Sequence, residues 1–236
     1  MVVGLGPGNR ETFTAEALAA IEAAQVVVGY HTYLELIPDL IGHKERVTTP
    51  MRGEVARAQQ AVELAAGGKV VAVVSSGDPG IYGMAGLILE VAEGRVPVKI
   101  IPGITAVSAA AASLGAPLMN DFAVISLSDL LTPTEIMFKR VESAAAGDFI
   151  IALYNPRSHG RPDNIKIAQE RMLKHKSPHT PVGIVRLARR GDEQKTLTTL
   201  QEMLEHDIDM LTTVIIGNSQ TRIIDGQMVT PRGYRL

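Results

Sequence analysis

The 236-residue chain contains no cysteine and no tryptophan. Without thiols it can form no disulfide, ligate no iron–sulfur cluster and offer no thiol nucleophile, which fits a reducing compartment and a cytoplasmic protein. Aromatic residues make up only 4%, so a base-stacking platform is not expected. The formal net charge is −2, and a broad nucleic-acid footprint is not expected either. Long apolar runs are missing. The longest, Ile104 to Met119, is broken by Ser108, Ser113, Gly115 and Pro117, too short and too interrupted to span a bilayer. No charged segment precedes an apolar core near Met1, so no secretory signal is read. The six histidines (His31, His43, His159, His175, His179, His206) show no paired ligand spacing, and Pro178 breaks any helix between His175 and His179. A metal site is therefore not expected. There is no G-x-S-x-G elbow and no G-x-x-x-x-G-K-[ST] phosphate loop.

What is present is enough to build a core. Hydrophobic residues account for 46% and charged residues for 20%, as in soluble globular proteins. The chain is organised around Val70 to Tyr82, VVAVVSSGDPGIY. Its valines, nearly unbroken by polar residues, predict a strand covered on both faces, as in a parallel sheet. Ser75 to Gly80 then end it in a tight loop. In open α/β sheets ligands sit at the carboxyl ends of strands, which marks Ser76, Gly77, Asp78 and Tyr82.

The same rhythm runs through the first half. Val2 to Leu5 reads as a strand, Thr14 as the N-cap of a helix, Val26 to Gly29 as a second strand. Glu54 to Ala66 reads as a helix stopped by Gly67-Gly68. A helix from about Gly83 to Glu93 follows the central strand, then a strand from Val96 to Ile101, then a helix capped by Thr105. The βαβα order predicts a mainly parallel sheet. Gly115 to Asp121 carries breakers and no periodicity, and the domain break is placed there, giving domains 1–116 and 117–236. The second half predicts strands at Ala123–Leu127, Phe149–Tyr154, Val182–Leu187 and Thr212–Ile216. Helices are predicted at Pro133–Ala146 and Asn164–His175, and a strand end with a helix over Leu197–Glu205. Ile223 to Val229 reads as a hairpin turning at Asp225-Gly226. These late strands lie close together, so this sheet is predicted to be mixed. The fold class is α/β, in two α/β domains.

Gly4-Leu5-Gly6-Pro7-Gly8 is a G-x-G-x-G match without the spacing or the following acidic residue of a dinucleotide fingerprint. It is read as a tight turn or as a close-approach loop beside a ligand. Arg157 and Arg161 follow one buried strand, and Arg186, Arg189 and Arg190 follow another. If those strand ends are neighbours, the guanidinium groups form a rim suited to a substrate with several carboxylates; the other reading is solvated loop charge.

VGLGPGN with its Thr-capped helix, SSGDPGIYG, IPGITA and TVIIGN, in this order and over essentially the whole chain, resemble the tetrapyrrole (corrin/porphyrin) methylases. VVGYHTYLELI, ISLSDLLTP, LYNPRSHGR and TPRGY are similar to the group that methylates C17 of precorrin-3B, or its cobalt counterpart, and contracts the macrocycle. The resemblance implies two α/β domains with the donor S-adenosylmethionine in a cleft between them, S-adenosylhomocysteine as product, and a homodimer. It also implies that Pro7 and Gly8 border the donor, that Ser76, Gly77 and Asp78 cradle it with Ile81 and Tyr82 beside it, and that Thr105 and Ala106 meet it. From the second domain it adds Tyr154, Asn155, Ala188 and Thr212 or Thr213, although several relatives carry Met-Gly where this chain has Asn155-Pro156. A tetrapyrrole with acetate and propionate arms accounts for the arginines. For the proton movement of ring contraction, Asp129 and His31 are the candidates, with Tyr30, Ser126 and Ser128 nearby in sequence. The alternatives are a relative acting at another ring carbon and a non-catalytic tetrapyrrole carrier.

Overall fold

The computed structural model describes residues 1–49, 53–158, 160 and 162–235. It divides into two units, Met1–Ala106 and Val107–Leu236; the break expected from sequence lay at 116/117.

The first unit runs β1 (Val2–Gly4), α1 (Ala15–Ala23), β2 (Val26–Tyr30), α2 (His31–Leu34), α3 (Pro38–Ile41), β3 (Glu45–Thr49), α4 (Glu54–Ala66), β4 (Val71–Ser75), α5 (Ala85–Ala92) and β5 (Ile100–Ile101). The sheet order is β3-β2-β4-β1-β5, and every pair is parallel. Side chains alternate across a strand. Ala72 and Val74 of β4 therefore join Val3, Leu5 and Ile21 on one face. Val71 and Val73 join Val2, Ala58 and Ile88 on the other. Both faces are covered, which is why the strand reads as an unbroken apolar run. Thr14 caps α1 as expected, its side chain accepting from the Ala17 N–H at 3.1 Å.

Two departures have plain causes. The strand expected over Val96–Ile101 is confined to Ile100–Ile101: Pro97 has no N–H for a ladder, and it and Lys99 are exposed. β3, a charged edge strand of sequence ERVTT, carries no apolar run that could have revealed it.

The second unit begins in α6 (Ala106–Leu114), whose first residue closes the unit before. It continues through β6 (Gly115–Ala116), β7 (Phe122–Ser126), α7 (Thr134–Ala146), β8 (Ile150–Tyr154), α8 (Asn164–Met172), β9 (Pro181–Arg186), β10 (Gln194–Thr199), β11 (Thr212–Ile216), β12 (Arg222–Ile224) and β13 (Gln227–Val229). The main sheet, β10-β9-β11-β8-β7, is mixed: β7 and β8 are parallel and the other pairs antiparallel. Helices α7 and α8 cover one face through Met137, Phe138, Val141, Ile165 and Met172. Helix α6 covers the other through Val107, Ala110 and Leu114, with Met228. Strands β12 and β13 form the expected hairpin, and its Asp225 and Gly226 have φ of 49° and 69°, as a two-residue turn matched to strand twist requires. Within Leu197–Glu205, Leu197 belongs to β10, and the helical part is one short turn, Met203–Glu205. Gly115–Ala116, expected as plain linker, pairs in parallel with β13.

Candidate functional site

A parallel sheet brings all its carboxyl ends to one edge. At that edge of the first unit the loops after β1, β4 and β5 meet. Leu5 donates its N–H to Ser75 O at 2.9 Å, and Gly6 and Gly77 donate to one another's carbonyls at 3.1 and 2.7 Å. A Cβ on Gly4 would stand 2.6 Å from Gly103 N and 2.7 Å from Gly77 O, so three glycines make this meeting possible. Asp78 fastens it. Its Oδ1 accepts from Gly80 N at 2.8 Å and its Oδ2 from Gly103 N at 3.1 Å. The edge is thus built largely of backbone polar groups.

The structure gathers the first-unit residues marked by sequence. Pro7 is buried, Gly8 is half-buried, and Ser76, Gly77, Asp78, Thr105 and Ala106 are half-buried. A Cβ on Gly77 would lie 3.8 Å from Thr105 Cα. Ile81 and Tyr82 are exposed beside them. His31 opens α2 directly after β2, so it belongs to the same edge; its Nε2 lies 3.3 Å from Glu35 Oε1 on the exposed side of that helix.

In the second unit β11 runs antiparallel to both β8 and β9, so the carboxyl ends of β7, β8 and β9 share one edge with the start of β11. Ser126 stands opposite Tyr154 in the β7–β8 ladder. Its Oγ accepts from Asn155 Nδ2 at 2.9 Å and from Ser128 N at 3.3 Å. Tyr154 Oη accepts the N–H of Val107 in the first turn of α6 at 2.6 Å. Asn164, buried at the start of α8, donates to Leu127 O at 2.8 Å. These bonds hold the base of the loop that carries exposed Asp129 and the exposed Leu130 and Leu131, the latter at 98%.

The arginine-bearing strand ends are separated only by β11, about 10 Å at two inter-strand spacings. Arg157 and Arg189 are exposed and Arg190 half-buried. Arg186 is engaged: its Nε donates to Asp209 Oδ2 at 2.8 Å. Arg161 lies outside the described residues. Ala188 is nearly buried, between Leu187 and Arg189. Thr212 and Thr213 are buried, and Thr212 Oγ1 donates to Asp209 Oδ1 at 2.8 Å. Burial pushes the Asp209 carboxyl up, but the bonds from Arg186, Thr212 and Leu211 outweigh it and hold it below the usual carboxylate range. Asp209 was missed from sequence. Its signal is Asp-x-x-Thr before a strand, a local side-chain-to-backbone turn.

Among the described residues, seven non-glycine residues have positive φ. Four of them, Tyr82, Asn155, Leu187 and Arg189, at 49° to 56°, sit in these strand-end loops. Such backbone costs about 1–3 kcal/mol per residue and collects at functional sites. Among the described residues no cluster of three metal-ligating side chains occurs, and no helix is long and apolar enough to cross a membrane.

An all-parallel sheet followed by a mixed one, each with strained loops at the carboxyl ends of its strands, is the arrangement of a known enzyme class. The chain belongs to the tetrapyrrole (corrin/porphyrin) methylases, whose family model matches residues 1–204. Within that class it is 50% identical over 238 residues to a probable cobalt-factor III C(17)-methyltransferase of Salmonella typhimurium, covering 100% of this chain and 99% of that one. It is 49% identical over 242 residues to the cobalt-factor III methyltransferase of Priestia megaterium, covering 100% of this chain but only 45% of that longer protein. The crystal structure of the methyltransferase CobJ superposes with a TM-score of 0.93 at 39% identity, covering 98% of each chain.

Proposed function

We propose that this protein methylates C17 of a cobalt-factor III or precorrin-3B type tetrapyrrole in cobalamin biosynthesis, with ring contraction. The methyl donor in this reading is S-adenosylmethionine. The observation that carries the reading is the three-loop meeting of Gly4, Gly77 and Gly103, a backbone-lined strand-end seat in a chain of this family. The residues fit such a donor: close glycine packing brings the backbone of three loops together at the strand ends, with the polar side chains of Ser76 and Thr105 half-exposed beside it. When bound, the donor supplies an electrophilic methyl on a sulfonium, taken by an electron-rich ring carbon while the carbon–sulfur bond breaks.

Methyl transfer of this kind depends on holding the reacting atoms at about 3–3.5 Å rather than on a strong base. In this reading Pro7, Gly8, Ser76, Gly77, Ile81, Tyr82, Thr105 and Ala106 bind the donor, and Asp78 sets the shape of its loop. Tyr154, Asn155, Ala188, Thr212 and Thr213 are further donor-binding residues in this reading. Arg157, Arg161, Arg186, Arg189 and Arg190 receive the carboxylate arms. Asp129 and His31 move protons during contraction. The protein acts as a cytoplasmic homodimer.

The test is direct. S-adenosylhomocysteine should raise the melting temperature by linkage, and incubation of the tetrapyrrole with donor should add one methyl by mass. No thermal shift at saturating ligand, with no added methyl, would favour a carrier.

A further inference from the structure

Two strained residues flank a small buried one in the loop after β9. Leu187 and Arg189, with φ of 52° and 56°, stand on either side of Ala188. Ala188 belongs to the cluster that holds Val107, Ala111 and Leu114 of α6, and Tyr154 packs against that cluster. Left-handed backbone without glycine persists only where its surroundings hold it. Leu187 is held by backbone: its N–H donates to Leu211 O at 3.0 Å and its carbonyl accepts from Arg190 N at 2.8 Å. Arg189 is held by a side chain. Its N–H donates to Oε2 of Glu193.

That one oxygen has a second duty. It also accepts from Ser113 Oγ at 2.9 Å, in the last turn of α6 and 80 residues away along the chain. Two residues past Glu193, Lys195 Nζ donates to Ser113 O at 3.1 Å. Lys195 stands opposite Val185 in the β9–β10 ladder, and Val185 is a member of the Ala188 cluster. The loop after β9 and the end of α6 are thus tied together on the face of the sheet that carries Ala188. Glu193 is exposed, so its charge is screened by water. What it contributes is an acceptor at a fixed place.

We infer that Glu193 is a positioning residue for donor binding: one carboxylate oxygen holds Arg189 in its left-handed conformation and ties the loop to α6, so that Ala188 keeps its seat. This rests on the reading above, in which Ala188 and Tyr154 bind the donor. Glu193 acts through the loop and not on the donor itself.

The test uses the whole protein, with S-adenosylhomocysteine as probe and titration calorimetry well below each variant's melting temperature. E193A should bind roughly tenfold more weakly and S113A, which cuts only the tie to α6, roughly threefold, the range of one lost hydrogen bond. E193Q keeps an oxygen for both donors and should bind within about twofold of the wild type, since a neutral acceptor serves as well at an exposed site. The double variant S113A/E193A should be no weaker than E193A alone, because Ser113 works through Glu193. If E193A melts lower yet binds the probe like the wild type, the bridge only braces the fold and the inference fails. It fails also if E193Q loses as much as E193A, which would make the charge the cause. S113A at wild-type affinity overturns it even where E193A does not fold. If the wild type does not bind S-adenosylhomocysteine at all, the functional reading itself falls and takes this inference with it.

Discussion

The carboxylate of Asp78 reaches 25 residues along the chain to accept the N–H of Gly103 at 3.1 Å, while its other oxygen closes its own turn on Gly80. One side chain thereby locks the loops after β4 and β5 together. Asp78→Ala leaves two N–H groups to find water and should cost about 1–3 kcal/mol. S-adenosylhomocysteine should bind at least tenfold more weakly, because the seat loses its shape. Thermal melts and titration calorimetry on the same samples measure both. Unchanged ligand affinity in a stably folded variant would remove this loop from the donor site.

Two glycines give opposite expectations. A Cβ at Gly4 meets backbone atoms of Gly103 and Gly77 at 2.6–2.7 Å, and backbone cannot step aside cheaply. Gly4→Ala should lose 1–3 kcal/mol or more through overpacking. Gly86 lies within α5 with nothing inside 4 Å of its added Cβ, so Gly86→Ala should gain about 0.5–1 kcal/mol. Denaturant midpoints compare the pair.

Lys176 presents another kind of constraint. Its side chain is only 2% exposed, and its Nζ donates to Gly217 O at 3.0 Å and Asp148 Oδ1 at 3.4 Å. Burial depresses its pKa, more than the Asp148 charge raises it. The unfolded chain therefore binds that proton more tightly, and stability should rise as pH climbs from the folded pKa toward the ordinary lysine range. Lys176→Ala should cost about 1–3 kcal/mol by leaving the Gly217 carbonyl unpaired. Lys176→Met, which fills the space without the charge, should flatten the alkaline limb of a stability–pH profile.

The acid limb is set elsewhere. Asp148 is buried enough to be pushed up, yet its bonds from Ser219 and Lys176 prevail and hold it low; Asp209 behaves in the same way through Arg186, Thr212 and Leu211. A carboxylate with a depressed folded pKa contributes stability above its unfolded value and loses it as pH falls through the folded one. Chemical-denaturation midpoints should therefore decline below the ordinary carboxylate range. Asp148→Asn should make that decline shallower. An equally steep decline in the variant would place the acid sensitivity in other groups.

How much of this was legible in the residues varies with how local the cause is. The β4 valines, the Thr14 cap and the Asp225-Gly226 turn each carry their own reason, and the structure has them where the sequence predicts. β3 was not legible because ERVTT has neither period nor apolar run. Gly115–Ala116 became a strand only because β13, more than 110 residues on, offers it a partner. The same contrast holds at the candidate site. Glycine loops and strand-end arginines announce themselves, but the bond from Asn155 to Ser126 and that from Arg186 to Asp209 depend on strand order, which no short motif encodes. The antiparallel β11 between β8 and β9 is what puts Arg157 and Arg186 on one edge.

The central claim is most directly tested by incubating the protein with a cobalt-factor III or precorrin-3B substrate and S-adenosylmethionine carrying a ¹³C methyl, then locating the label by NMR. The account predicts a single labelled methyl on C17 of a contracted ring, with S-adenosylhomocysteine released. A label on another ring carbon, or none transferred, would contradict it.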